Sequence, residues 1–157
     1  MPSLLVLASA ARSSDVPTLT GMVQTGVALQ SSPIVVVIPS DADAPSGGRV
    51  VRVKRDVAPI TAIRIGMAQL TNSTATSVLL WPLASAEVPL VALLALIDAA
   101  TREVGSIVAL ASSNLELAPV VVPRDAWLEL VTLGEGGLEA LAGRRRIVRV
   151  DAPNAAR

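Results

Sequence analysis

The chain has 157 residues, with 13 Lys plus Arg against 13 Asp plus Glu, 52% hydrophobic residues, and neither Cys nor His. The length suits one domain with a genuine core, and the balanced charge excludes a global field that would recruit nucleic acid or an anionic membrane surface. The missing Cys and His exclude thiol chemistry, disulfides, the usual zinc sites and imidazole acid–base catalysis, which leaves carboxylates, hydroxyls, Arg and the backbone.

Residues 1–10 resemble an export signal superficially. They lack a basic leader, and their apolar part is shorter than the roughly 7–15 residues such a signal needs, so residues 4–7 read as a first strand. A loop of small and polar residues, 8–15, follows, of the kind that lets a backbone approach a phosphate. Pro17 opens a helix over 18–29, with Leu19, Met22, Val23 and Val27 at helical spacing. Residues 33–38, β-branched almost throughout and stopped by Pro39, predict a central strand. After a polar loop at 40–48, residues 49–55 partly alternate Val with Arg and Lys, as in a half-exposed strand whose charges guard a sheet edge. Ile63, Ile65, Met67 and Leu70 predict a short helix over 61–70, with Thr61 near its cap.

Residues 77–81, Ser-Val-Leu-Leu-Trp closed by Pro82, form a continuous apolar run that suits a central strand covered on both faces. The loop 83–89 carries Glu87, after which Val91, Leu94, Leu96 and Ile97 repeat at helical spacing. Strands follow at 106–111 and 119–122, divided by a polar loop at 112–117. A helix from 123 to 131 is interrupted by Gly134, Gly136 and Gly137 before a second piece at 138–142, and a last strand at 146–150 precedes a loose tail, 152–157. Strands alternating with helices predict one α/β domain, residues 1–151, with three α/β/α layers around a mostly parallel, Rossmann-like sheet.

No apolar stretch reaches the roughly 18 residues of a membrane span, so the expectation is a soluble, cytoplasmic protein. With only 17% charged residues, part of its surface is expected to lie against another copy, which predicts a homo-oligomer.

In open α/β sheets, ligands collect beyond the carboxyl ends of the strands, which singles out Glu87 in the loop after the central strand. It reads either as a magnesium ligand or as a solvated carboxylate before a helix. The loop 8–14 reads either as a cradle of amides and hydroxyls for phosphate or as a plain connection, crowded by the Cβ atoms of Ala10 and Ala11. Arg12 and Arg64 are cations able to meet phosphates, or surface residues. Arg144, Arg145, Arg146 and Arg149 form an anion patch or complement a helix end. Trp81 and Trp127, the only aromatic residues, either stack on a base or fill the core.

Leu79-Leu80-Trp81-Pro82, then Glu87-Val88-Pro89-Leu90-Val91 and an Ala/Leu helix, resembles the nucleotidyltransferases that attach CTP or GTP to molybdenum cofactor. In that family an apolar strand, an Asp-x-Pro-Leu turn and a helix place a magnesium-binding Asp. Residues 7–14 resemble the family's Leu-Ala-x-Gly-x-Ser-Ser loop, 61–66 its Ser-x-x-Arg-x-Gly helix start, and 119–124 with Trp127 a later strand-to-helix segment. In order and spacing the resemblance spans residues 3–151. It implies a nucleotidyltransferase-type sheet, Mg2+ with a nucleoside triphosphate at Glu87, and nucleotide contacts from Ser9, Ala10, Arg12, Ser13, Thr61 and Arg64. Departures from the family pattern concern chemistry. Its loop glycines are Ala10 and Ala11 here, no Lys precedes Lys54, Glu87 follows an insertion of a few residues, and Leu117-Ala118-Pro119 stands for Gly-His-Pro. The family's closing Asp-x-Asp-x-Pro segment is missing. The resemblance therefore implies a degenerate member with no catalytic residue assigned, a binding or interaction subunit for a nucleotide or a protein partner. The alternative is an active magnesium-dependent transferase that moves a nucleotidyl group from an NTP to a cofactor-like acceptor.

Overall fold

The computed structural model describes residues 2–111, 114–115, 117–134 and 137–151. Among the described residues seven strands form one sheet: β1 (Ser3–Leu7), β2 (Ile34–Pro39), β3 (Arg49–Val53), β4 (Ser77–Pro82), β5 (Ile107–Leu110), β6 (Val120–Pro123) and β7 (Ile147–Val150). Their order is β3-β2-β1-β4-β6-β5-β7. All neighbours pair in parallel except β6, which runs antiparallel to both β4 and β5. The mostly parallel sheet is as predicted. The reversal of β6 is new, and a run of Val residues reads the same in either direction.

Side chains alternate across a strand with period two, so each strand feeds two cores. Leu4, Val6, Val36, Ile38, Leu79 and Trp81 cluster with α1 (Val16–Ala28) and α3 (Leu90–Arg102) on one face. Leu5, Val35, Val37, Val78 and Leu80 cluster with α2 (Pro59–Ala68) and α4 (Trp127–Val131) on the other. Burial on both faces explains why β1, β2 and β4 are apolar at consecutive positions. The charged strand β3 does lie at an edge, with Arg49 and Arg52 exposed.

Several boundaries move for identifiable reasons. A 3-10 turn, Ser13–Asp15, leads directly into α1, which begins at Val16. The cap of α2 is Ala58, with Pro59 in the first turn supplying a preset φ, so Thr61 lies inside the helix and does not cap it. The predicted helix from 123 becomes a 3-10 turn, Arg124–Ala126, and the short α4, and the piece after the glycines is a 3-10 helix, Gly137–Gly143. Gly136, the tail 152–157, and Ser112, Ser113 and Glu116 of the 112–117 loop lie outside the described residues. No helix of the described residues is long and apolar enough to cross a membrane.

Gly66 sets how closely α2 approaches the sheet. A Cβ there would stand 2.5 Å from Leu5 Cδ1 and 3.0 Å from Val37 Cγ2, both on fully buried side chains. Gly66→Ala is therefore expected to lower stability by about 1–3 kcal/mol through overpacking, read as a lower urea midpoint at unchanged slope. A variant as stable as the wild type would mean that α2 sits further from β1.

Candidate functional site

The connections from β1 lead to β2 and β3 on one side of the sheet, whereas those from β4 lead towards β5 and β7 on the other. The strand order therefore reverses between β1 and β4, and a crevice opens beyond the carboxyl ends of these two strands. A cavity of about 100 Å³ lies there, walled by Leu7 and Ser9 from β1 and its loop, Leu80 and Pro82 from β4, and Pro59 and Ala62 from the first turn of α2. A larger space of about 390 Å³ lies at the opposite end, between the last turns of α3 and the start of β4. Its lining carries hydroxyls from Thr76, Ser77, Thr101 and Ser106 but no charged side chain, so nothing there would fix a charged ligand. The smaller crevice has the position; its own lining is apolar apart from Ser9, so polar and charged contacts would come from the loops that border it.

Two loops border it. After β1 the chain turns at Ser9 and Ala10, where the Ala11 N–H donates to the Ala8 carbonyl at 3.0 Å. Ala11 is wholly buried and Ala10 exposed, so the Cβ atoms project where glycines would leave the amides open. Ser13 opens the 3-10 turn, exposed, and the Arg12 N–H donates to the Asp15 carboxylate at 2.8 Å. After β4, a 3-10 turn, Leu83–Ser85, is pinned by the buried Trp81 indole N–H, which donates to the Ser85 carbonyl at 2.9 Å, and by the Ser85 hydroxyl, which donates to Pro82 at 3.1 Å. Glu87 follows on an exposed turn just ahead of α3. Among the described residues no three acidic side chains gather into a metal-binding group.

The sequence-assigned residues therefore divide. Ser9 lines the crevice, Ala10, Arg12 and Ser13 lie on the loop beside it, and Thr61 is half-buried in the adjoining turn of α2. Arg64 does not turn to the crevice. Its Nε donates to the Val131 carbonyl at 3.0 Å and its Nη2 to the Leu133 carbonyl, which ties α2 to the end of α4. The other candidates from the sequence are absorbed by the fold. Trp127, 8% exposed, donates its indole N–H to the Val122 carbonyl at 3.2 Å, and Trp81 is 1% exposed, so both fill core. In the arginine run, Arg145 pairs with Glu129 at 2.9 Å and Asp125 at 3.2 Å, and Arg149 donates to the Leu110 carbonyl at 3.2 Å. These contacts explain Arg145 and Arg149 without an anionic ligand.

One group held against the loop after β1 escaped the sequence reading, which treated Arg55 as an edge charge. Its guanidinium forks onto Asp41, with Nη2 at 2.7 Å from Oδ1 and Nε at 3.1 Å from both oxygens, and its Nη1 donates to the Ala10 carbonyl at 3.3 Å. The only local signal was the opposite charge of Asp41, fourteen residues earlier. Hydrogen bonds from Arg55 hold the Asp41 carboxyl below its ordinary value of 3.8, outweighing desolvation in the other direction. A depressed carboxyl favours the folded state above its unfolded value, and that contribution disappears as pH falls through the folded value. The acid limb of a urea-midpoint series between about pH 2 and 5 should therefore be shallower in Asp41→Asn. Identical limbs would show that the pair does not persist in solution.

Similar folds are known. Rv0371c from Mycobacterium tuberculosis superposes with a TM-score of 0.69 at 20% identity, over 98% of this chain and 90% of that one. Its complex with manganese gives 0.68 at 22%, over 96% and 89%. A 4-diphosphocytidyl-2C-methyl-D-erythritol synthase gives 0.71 at 15%, over 99% and 91%, and a cytidylyltransferase from Leptospira borgpetersenii 0.67 at 9%, over 98% and 77%. No protein-family model matches the sequence, and no curated protein matches it either. At these identities the likeness establishes the fold, which is the nucleotidyltransferase-like α/β fold.

Proposed function

We propose that this chain is a nucleotidyltransferase-like domain that binds a nucleoside triphosphate with a divalent cation but does not turn it over, acting as a binding or interaction subunit. The observation that carries this reading is the crevice at the reversal of strand order, bordered by the Ser9–Ser13 loop, the first turn of α2 and the loop of Glu87. The same features argue against turnover. Phosphoryl and nucleotidyl transfer rely on metal-bridged phosphates held by several cationic and amide donors. Here alanine Cβ atoms stand beside the loop amides, Arg64 is bound to carbonyls, and among the described residues Glu87 belongs to no group of three metal-binding side chains. One carboxylate fits a divalent ion held jointly with a ligand's phosphates, as is usual for magnesium. When bound, such an ion would neutralise phosphate charge, and the part of Glu87 is to anchor it beside the end of β4.

Thermal melts with CTP, GTP and ATP, with and without magnesium or manganese, test the proposal. CTP with the ion at about a hundredfold over Kd should stabilise by about 2.7 kcal/mol, a rise of roughly 5–10 °C, and Glu87→Ala should remove most of it. A flat response to all three nucleotides would overturn the reading.

A second reading is a magnesium-dependent transferase acting on molybdenum cofactor or a similar acceptor; the manganese complex of Rv0371c supports its divalent ion alone. That reading requires pyrophosphate release from CTP or GTP that is lost in Glu87→Ala, and full turnover in that variant would sink it. As partner we propose a second copy of the chain, seated on the outward face of α3, where Leu90, Val91 and Leu94 are 43%, 42% and 46% exposed. Sedimentation at micromolar concentration should show a dimer or larger, and Leu94→Glu should dissociate it.

A further inference from the structure

Arg55 lies just past the end of β3, yet its guanidinium rests on the loop after β1. Two contacts join these segments: Arg55 Nη1 to the Ala10 carbonyl at 3.3 Å, and the Asp56 N–H to the Ser9 carbonyl at 3.0 Å. A guanidinium has five N–H donors in a planar fork. The contacts to Asp41 and Ala10 use one each on Nε, Nη1 and Nη2, so two remain unengaged. The Arg55 side chain is 34% exposed and that of Asp41 64%, so their pair is open to a competing anion. Carboxylate and phosphate present the same bidentate face to Arg, and a phosphate can take the place of Asp41 without moving Arg55 from the loop. Arg12, two residues beyond Ala10, is exposed, and its guanidinium forms no ion pair among the described residues.

We propose that Arg55, together with Arg12, grips the polyphosphate of a nucleotide at the loop after β1, and that Asp41 is its built-in counter-ion, displaced when the phosphates arrive. This rests on the nucleotide-binding reading and assigns that site its cations. Asp41 then sets the affinity from the inside: while it holds Arg55, weakly charged anions are excluded, and only a ligand with several phosphate charges competes well.

Isothermal titration with inorganic tripolyphosphate and with CTP, both with magnesium, tests this on wild type, Asp41→Asn, Arg55→Met, Arg55→Lys and Arg12→Met. Asp41→Asn should bind tripolyphosphate roughly three- to tenfold more tightly, and Arg55→Met at least about tenfold more weakly. Arg55→Lys should fall between wild type and Arg55→Met, since it keeps the charge and loses the fork, and it serves in place of Arg55→Met if that variant does not fold. Arg12→Met should weaken binding with the pair intact. If Asp41→Asn binds no more tightly than wild type, or Arg55→Met binds as well, the proposal is wrong. CTP binding that no variant alters would leave the nucleotide-binding reading standing and remove this assignment. Wild-type protein that binds neither compound would remove both.

Discussion

Trp81→Ala is expected to lower the unfolding free energy by about 3–5 kcal/mol, a large share of the 5–15 kcal/mol typical of a domain. Trp81 is the largest fully buried side chain among the described residues, 1% exposed, in the core between the sheet and α1 and α3. Truncation removes its apolar burial and leaves a cavity that rigid β neighbours cannot close. Its indole N–H also holds the Ser85 carbonyl at 2.9 Å, at the turn that leads to Glu87. Trp81→Phe separates the two roles, because it keeps most of the volume and loses the donor. It should cost about 1 kcal/mol, the net worth of one hydrogen bond, since the Ser85 carbonyl keeps the Val88 N–H at 3.1 Å, and should weaken any dependence of ligand binding on Glu87. Urea unfolding followed by the remaining Trp127 fluorescence reads both variants. A midpoint within about 1 kcal/mol of wild type for Trp81→Ala would show that this residue is not core.

Arg124→Ala should cost about 2–3 kcal/mol, more than an ordinary surface arginine. One guanidinium organises the segment that enters β4: Nη1 donates to the carbonyls of Ser73 and, at 3.0 Å, Ala75, and Nη2 donates to that of Thr71 at 3.0 Å. It also stacks over Trp127, 4.6 Å from the ring centroid. Removing it strands three carbonyls and an aromatic face together. Arg124→Lys should recover less than half of the loss, since an ammonium cannot span three acceptors and stack at the same time. Hydrogen exchange should report faster opening at residues 71–77 in both variants, ahead of global unfolding. If Arg124→Lys were as stable as wild type, charge alone would account for the site and the fork would be irrelevant.

Length, composition and local periodicity determined a good deal by themselves. The fold class followed from strand-like and helix-like patterns, and the apolar β4 and the charged edge β3 were legible because burial on two faces, or on one, writes its own period into a strand. The position of Glu87 at a strand exit was equally local. The exclusion of Cys and His chemistry needed only the composition. Tertiary structure alone decided the rest, because pairing order and side-chain partners depend on residues far apart in the chain. The antiparallel course of β6, and with it the strand order around the crevice, has no local signature in Val-Val-Val. Arg64 looked like a cation for phosphate, yet it is bound to carbonyls 67 and 69 residues away, whereas Arg55 looked like an edge charge and meets the loop of Ala10 across 45 residues. Both are exposed or half-exposed arginines in segments of similar composition. What distinguishes them is which backbone carbonyl the folded chain brings within 3.5 Å of a guanidinium, and periodicity carries no information about that.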